Sequence, residues 1–193
     1  MSLDLATLAD GELATLSLAG RDGAFAEIVR RHRDALYRVA LASLGDREDA
    51  LDAVQETFIA AHRALRRFDT ARTMRPWLAR ITLNRCRDSL RRRRVRRILR
   101  PFAGADDPVA SVPDDRPGQD VEAADREELV RTMRAISRLP AAIREPIVLR
   151  TIEGLSQSET ALALGITEKA VETRLRRARE RLRMTLGMVE PGS

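Results

Sequence analysis

The chain has 193 residues, a formal net charge of +6, 44% hydrophobic residues and only 3% aromatic residues. This length permits one ordinary domain or two small ones, the hydrophobic content excludes a disordered chain, and the shortage of aromatic residues favours helices with aliphatic cores. No run of about 18 apolar residues exists to span a membrane, the start MSLDLATLAD is acidic where a secretory signal would be basic, and the single Cys86 excludes an internal disulfide and supports no metal cluster. We therefore expect a cytoplasmic protein.

The first half of the chain has the apolar spacing of consecutive helices. A short opening helix is predicted near residues 10–19, and the spacing then predicts helices over residues 25–40, 50–65 and 77–90. Gly45 separates the second predicted helix from the third, and a loop from Asp69 to Pro76 precedes the fourth, which continues into an arginine run.

A change of composition marks the middle of the chain. Residues 101–120 read PFAGADDPVASVPDDRPGQD, with four prolines and five aspartates. Prolines oppose helix formation and like charges repel, so we predict a flexible acidic linker between a first domain of residues 1–100 and a second of residues 121–187. About twenty residues of flexible chain span roughly 25 Å on average, which would let the two domains sit apart on a partner.

The second half is again predicted to be helical. One apolar stripe covers residues 129–136 and ends at Pro140, and the next covers residues 143–148 and ends near Gly154.

The segment LSQSETALALGITEKAVETRLRRARERLR, residues 155–183, has the pattern of a helix-turn-helix. Ser156 and Glu159 have the spacing of a capping box at the start of a short helix. Gly165 suits the turn, and Thr167 can cap a second helix. A buried stripe is predicted at i, i+4, i+7 and i+11 of that helix. Its members are Val171, Leu175, Ala178 and Leu182.

The opposite face of this second helix is polar. It carries Lys169, Glu172, Thr173, Arg176 and Glu180. In a helix-turn-helix the second helix enters the DNA major groove, where arginine reads guanine, and flanking arginines such as Arg174, Arg177 and Arg179 would hold phosphates. The alternative is a basic helical hairpin that packs against protein.

Arginine accounts for all but one of the 35 basic residues, the exception being Lys169. A GC-rich genome would explain the bias itself, but not its position in two clusters. The first cluster is Arg91, Arg92, Arg93, Arg94, Arg96 and Arg97, and the second is Arg174, Arg176, Arg177, Arg179, Arg181 and Arg183. Two basic stripes indicate a polyanionic partner, most simply nucleic acid, although each could be a solvated helix face.

The third predicted helix carries an acidic face. Its members are Asp49, Asp52, Gln55 and Glu56. Paired carboxylates could indicate a metal-dependent nuclease, but His32 and His62 stand apart and complete no site. Docking of a basic partner is the favoured interpretation, and a solvated face is the alternative.

Three motifs together resemble the extracytoplasmic-function (ECF) sigma factors, a minimal branch of the sigma-70 family. The segment DALDAVQETF resembles the family's D-A-x-D-x-V-Q-E-x-F segment, with Leu51 in place of the usual acid. Residues 75–94 resemble its W-L-x-x-I-x-x-N segment with a basic end. Residues 139–183, with the R-L-x-R-A-R stretch at 174–179, resemble its fourth region.

The resemblance implies a role for each surface. The residues implied to dock on RNA polymerase are Asp49, Asp52, Gln55 and Glu56. The residues implied to bind the minus-ten element as single-stranded DNA are Arg72, Arg75, Trp77, Arg80, Asn84, Arg87, Arg91, Arg92, Arg93 and Arg94. The residues implied to bind the minus-35 duplex are Lys169, Glu172, Thr173, Arg174, Arg176 and Arg177.

Three of the singled-out residues also have plain structural interpretations. Trp77 is alternatively a core anchor rather than a base stacker, and Asn84 a local hydrogen-bonding or capping residue. Cys86 is interpreted as a small buried apolar residue, with a redox switch as the alternative.

We therefore expect an all-α protein of two small helical domains, corresponding to sigma region 2 and region 4, joined by the linker. It would be a sigma factor and not an enzyme, with no cofactor and no metal. Its expected partners are core RNA polymerase through the β′ and β subunits, promoter DNA and an anti-sigma factor, with no membrane insertion. The alternative is an ordinary helix-turn-helix repressor or activator, which would bind duplex DNA alone and usually as a dimer.

Overall fold

The computed structural model describes the backbone of residues 4–99 and 120–187 and the side chains of residues 4–96 and 127–187. Within these residues the chain is helical and has no strand. The helices of the first domain are α1 (Asp10–Leu18), α2 (Ala24–Leu44), α3 (Arg47–Ala64) and α4 (Met74–Leu99). Those of the second domain are α5 (Asp120–Ser137), α6 (Ala141–Ile147), α7 (Gln157–Leu164) and α8 (Glu168–Leu186). The all-α, two-domain expectation is confirmed. Of the linker predicted at 101–120, residues 101–119 lie outside the described residues and Asp120 is the first residue of α5.

Local sequence signals explain where the first helices begin and end. Gly45 adopts a φ of 71° and its N–H donates to the carbonyl of Leu41, which ends α2 where the sequence predicts. Asp46 then caps α3, because its carboxylate accepts from the N–H of Asp49 at 2.9 Å.

The predicted loop Asp69–Pro76 is too long by three residues. Helix α4 already begins at Met74, so Pro76 lies in its first turn. Proline is tolerated there because the first N–H groups of a helix have no intrahelical acceptor and the fixed φ suits a helix.

The apolar stripe predicted over residues 129–136 is only partly buried, since Leu129 is 61% exposed while Ile136 is buried.

The core of the first domain joins all four of its helices. Its largest fully buried side chains include Leu13, Ile28, Leu36, Leu65 and Leu78. Aliphatic packing of this kind contributes roughly 1.5–3 kcal/mol per buried side chain, and it fixes α3 and α4 side by side.

The second domain packs α5–α8 around a smaller core. Arg144 of α6 is buried and donates to the carbonyls of Ser137 at 2.9 Å and Leu139 at 3.2 Å. These contacts satisfy carbonyl groups that the end of α5 leaves without helical partners. Burial lowers the pKa of this guanidinium from its usual value. After Pro146 the backbone continues through a π turn at Val148–Ile152.

The two domains are in contact, which no local sequence pattern indicates. One apolar cluster contains Val39 and Ala42 of α2 and Ala79 and Leu83 of α4 together with second-domain residues. Those residues are Ile136, Leu139, Ile147, Val148, Leu149, Leu155, Ala161, Ala163, Val171, Leu175 and Ala178. In this arrangement α7 lies against α4, and α5 and the π turn at Val148–Ile152 lie against α2. No helix of the described residues is long and apolar enough to cross a membrane.

Candidate nucleic-acid interface

Local contacts at the start of α7, in the turn after it and at the start of α8 hold the helix-turn-helix. The backbone N–H of Ser156 donates to the Glu159 carboxylate at 2.7 Å, and the N–H of Glu159 donates to the Ser156 hydroxyl at 3.1 Å. Gly165 has a φ of 65°, and the Thr167 hydroxyl accepts from the N–H of Ala170 at 3.2 Å. The predicted capping box, glycine turn and second cap are all confirmed, so the orientation of α8 follows from its own sequence.

One side of α8 is buried and the other is polar. Val171, Leu175 and Ala178 are buried and Leu182 is half-buried, as the spacing predicts. The opposite side forms a shallow concave surface lined by Lys169, Glu172, Thr173, Arg176, Arg179, Glu180 and Arg183. Of the other predicted DNA-binding residues, Arg177 is exposed and Arg174 is half-buried, and neither lines this concave surface. The arrangement presents donors and acceptors together at the helix surface, which is what base-edge contacts require.

The predicted strand-binding residues at the start of α4 surround a short loop. Asp69 accepts from the N–H of Ala71 at 3.1 Å and pairs with Arg72 at 3.0 Å, which fixes the loop. The half-buried Trp77 packs against Phe68 with ring centroids 4.9 Å apart, so it acts as an anchor of the local core. Arg80 is exposed nearby.

Second-domain residues complete the surroundings of this loop. Leu162 and Ala163 of α7 line a cavity of about 180 Å³ together with Pro76, Trp77 and Arg80. The surface of α4 at this point therefore faces another part of the same chain.

Two of the predicted strand-binding arginines are engaged by carboxylates of the second domain. Arg75 Nε donates to Glu153 Oε1 at 3.1 Å, and a second guanidinium nitrogen donates to the Glu153 carbonyl. Arg87 makes a two-pronged contact with Glu145, with Nε–Oε1 at 2.6 Å and Nη2–Oε2 at 2.5 Å. This hydrogen bond raises the pKa of Arg87 from its usual value, against the effect of its partial burial. Asn84 accepts from Arg87 at 2.9 Å, which agrees with the local interpretation of that residue.

The arginines further along α4 turn toward α3. Arg93 pairs with Asp49 at 2.7 Å and Arg92 with Glu56 at 3.3 Å, so residues predicted for DNA and for polymerase contact each other. Arg91 pairs with Asp88 of its own helix at 3.1 Å. Arg94 and Arg96 are exposed, and the side chain of Arg97 lies outside the described residues.

The arginines of α4 therefore engage part of the acidic face of α3. Asp52 and Gln55 are exposed, while Asp49 and Glu56 are half-buried beside the arginines of α4. All four side chains lie on the side of α3 away from its buried residues, as helical spacing predicts.

An apolar groove beside this acidic face was not predicted. Leu51 and Ile59 of α3 are 59% and 47% exposed, and they line a groove of about 790 Å³ with Phe25, Val29 and Tyr37 of α2. The signal in the sequence is the pair Leu51 and Ile59, two apolar residues on the exposed side of an otherwise amphipathic helix. Glu145 and Glu153 also escaped prediction: both lie in the segment that resembles the fourth region, but the sequence analysis assigned neither of them a role.

Cys86 is buried in the first-domain core and contacts the hydroxyl of Ser43. Burial raises the pKa of its thiol to about 12, which agrees with the interpretation of a small apolar residue.

Comparison with protein families assigns both domains. Residues 28–96 match the family profile of Sigma-70 region 2, and residues 129–182 match that of Sigma-70, region 4.

Curated relatives match over nearly the whole chain. The RNA polymerase sigma factor NccH of Alcaligenes xylosoxydans is 43% identical over 90% of this chain and 92% of its own length. The ECF RNA polymerase sigma factor SigM of Mycobacterium tuberculosis is 37% identical over 95% of this chain and 87% of its own.

Solved structures match in the same way. The structure of CnrH in complex with the cytosolic domain of CnrY gives a TM-score of 0.67 at 37% identity and covers 92% of this chain and 97% of the other. That of the sigma factor RpoE in complex with the anti-sigma factor NepR from Bartonella quintana gives 0.68 at 25% identity, over 86% and 98%.

Proposed function

The chain belongs to the sigma-70 family as an ECF sigma factor, and on this basis we propose which of its surfaces meets each partner. As a member of that family it binds core RNA polymerase, directs promoter recognition and transcription initiation, and is not itself an enzyme. The division of labour among its residues is the proposal.

The polar face of α8 reads the minus-35 duplex. The observation that carries this assignment is the polar surface of α8 behind a fully capped helix-turn-helix, with its apolar side buried. A helix held in this way can enter the major groove without first becoming ordered. The residues assigned to the duplex are Lys169, Glu172, Thr173, Arg174, Arg176 and Arg177.

The outer surface of α4 and the loop before it bind the minus-ten element as single-stranded DNA. Arg72 and Arg80 are exposed at the loop, and Trp77 supports it from beneath. The assigned residues are Arg72, Arg75, Trp77, Arg80, Asn84, Arg87, Arg91, Arg92, Arg93 and Arg94. Arginine suits this role because its planar fork of donors matches phosphate oxygens.

The acidic face of α3 docks on polymerase through Asp49, Asp52, Gln55 and Glu56. Asp52 and Gln55 offer their side chains to a partner directly. Asp49 and Glu56 are paired with Arg93 and Arg92, so docking exchanges an internal ion pair for an intermolecular one. Ion pairs that solvent can reach contribute only about 0–1 kcal/mol each, so the exchange is easily reversed.

The chain works in the cytoplasm, where RNA polymerase acts, and an anti-sigma factor holds it silent. Support for the second statement comes from the solved relatives, since RpoE was solved with the anti-sigma factor NepR and CnrH with the cytosolic domain of CnrY.

The test is run-off transcription with purified core polymerase and genomic promoter fragments. Discrete starts that need the chain are expected. D52R reverses a charge on the proposed docking face and should weaken core binding at least tenfold, about 1.4 kcal/mol. The matched control is D22R, because Asp22 is exposed in the loop before α2. Full core binding by D52R would contradict the docking assignment. Duplex binding without any polymerase affinity would instead indicate an ordinary repressor.

A further inference from the structure

Arg75 and Arg87 are held by the second domain in the way that they would hold DNA. Each guanidinium makes two hydrogen bonds to oxygen acceptors of one glutamate residue. For Arg87 both acceptors are the carboxylate oxygens of Glu145, which is the two-pronged geometry that arginine also forms with a phosphate. The two pairs join residues 78 and 58 positions apart in the chain, so they tie the two domains together.

The burial of the two partners is unequal. The side chains of Glu153 and Glu145 are 2% and 6% exposed, whereas those of Arg75 and Arg87 are 47% and 46% exposed. One oxygen of Glu153, Oε2, is buried and has no hydrogen-bond partner among the described residues. Water can supply the missing hydrogen bond of Glu153 when the domains separate, which offsets part of the free energy lost with its ion pair.

The stretch of α4 between these two arginines is covered as well. Ala79 and Leu83 lie between the two arginines on α4 and are buried in the apolar cluster shared with the second domain. Leu162 and Ala163 of α7 close the cavity at Trp77 and Arg80. From the loop to Arg87, one side of α4 therefore faces the second domain.

We propose that Glu145 and Glu153 act as phosphate mimics that keep the chain closed, so that it cannot hold single-stranded promoter DNA until its two domains separate. This inference rests on the proposed function in one respect, namely that α4 is the strand-binding surface. The apparent affinity for single-stranded DNA equals the affinity of the open state multiplied by the fraction of chains that are open. A chain that is mostly closed therefore binds promoter DNA weakly when polymerase is absent.

The natural tryptophan reports opening without DNA. Trp77 is the only tryptophan in the chain and it lines the cavity that α7 closes. Domain separation should move its fluorescence emission to longer wavelength and increase its quenching by acrylamide. The test compares E145Q/E153Q with E127Q/E128Q, which removes the same charge from exposed positions of α5. Circular dichroism of both variants checks that their helix content is unchanged.

Three results are expected from full-length protein. E145Q/E153Q should show the Trp77 shift and E127Q/E128Q should not. E145Q/E153Q should bind a fluorescein-labelled single-stranded DNA of mixed sequence about tenfold more tightly than E127Q/E128Q. Raising salt from about 0.05 M to about 1 M should produce the Trp77 shift in the unmodified chain, because salt screens the half-exposed pairs.

The proposal is overturned if E145Q/E153Q leaves Trp77 unchanged, or if Trp77 shifts while DNA affinity matches that of E127Q/E128Q. In the latter case the two domains would separate, but the second domain would not compete with DNA for α4. Failure of the unmodified chain to support transcription would instead contradict the proposed function, and the Trp77 measurement would still report on closure.

Discussion

Helices α4 and α8 are both rich in arginine, yet they present their cations differently. On α8 the polar residues form one surface that faces away from the core. On α4 the arginines contact carboxylates of other elements, Arg75 and Arg87 in the second domain and Arg92 and Arg93 on α3. An arginine cluster in a sequence therefore indicates a polyanion-binding surface, but the fold decides whether that surface is available at rest.

The comparison predicts that a single arginine on α8 has a large and direct effect. R176A should reduce affinity for a promoter duplex by about 1–3 kcal/mol, since a side chain on an open recognition face loses base-edge contacts without any compensating change. Fluorescence anisotropy with a promoter fragment mapped by run-off transcription measures this loss. R138A, which removes one exposed arginine just after α5, is the control.

Equal duplex affinities of R176A and R138A would contradict a base-reading role of the α8 surface, because Arg176 would then contribute only its positive charge. A loss at only one base position of the site would identify the base that Arg176 reads.

A smaller effect is expected from the cap at the start of α7, the first helix of the helix-turn-helix. S156A removes the acceptor of the Glu159 N–H and should lower the free energy of unfolding by about 1 kcal/mol, measured by urea denaturation. S17A is the matched control, because Ser17 lies inside α1, where alanine is the better helix former. S17A should therefore leave stability unchanged or raise it.

The same cap has a defined pH dependence. The hydrogen bond from the Ser156 backbone holds the pKa of Glu159 below its usual value of 4.5. A carboxylate with a lowered pKa in the folded state stabilises the fold above its unfolded pKa, and this stabilisation is lost as the pH falls through the folded value. E159Q should remove this part of the acid sensitivity, and an unchanged pH profile in E159Q would contradict the role of the cap.

The two regions also differ in how well the sequence predicts them. The capping box, the turn at Gly165, the cap at Thr167 and the buried stripe of α8 depend on residues a few positions apart, and all were predictable. The start of α4 was misplaced because Pro76 was interpreted as a loop residue rather than a first-turn residue.

The covering of α4 could not be predicted because it depends on pairs 58 and 78 residues apart. Neither Glu145 nor Glu153 has a neighbour in sequence that distinguishes it from a solvated acid. The buried stripes on Ala79, Leu83 and Val148 indicate that each helix packs against something, but not that they share one cluster. Contacts between domains depend on the complementary shape and charge of two surfaces. The apolar periodicity of each helix shows which side is buried but not which surface covers it.

The smallest effect on transcription is expected from modification of Cys86, which lies on the buried side of α4. Burial raises the pKa of its thiol from 9.0 to about 12, so at pH 8 the reactive thiolate should be about a thousandfold rarer than in a free thiol. Iodoacetamide should label the folded chain far more slowly than the urea-unfolded chain, and hydrogen peroxide should leave run-off transcription unchanged. C86A, which retains no thiol, controls for oxidation elsewhere. Rapid labelling of the folded chain would show that the core beneath α4 opens often, and the contrast between a covered α4 and an open α8 would then describe only a minor population.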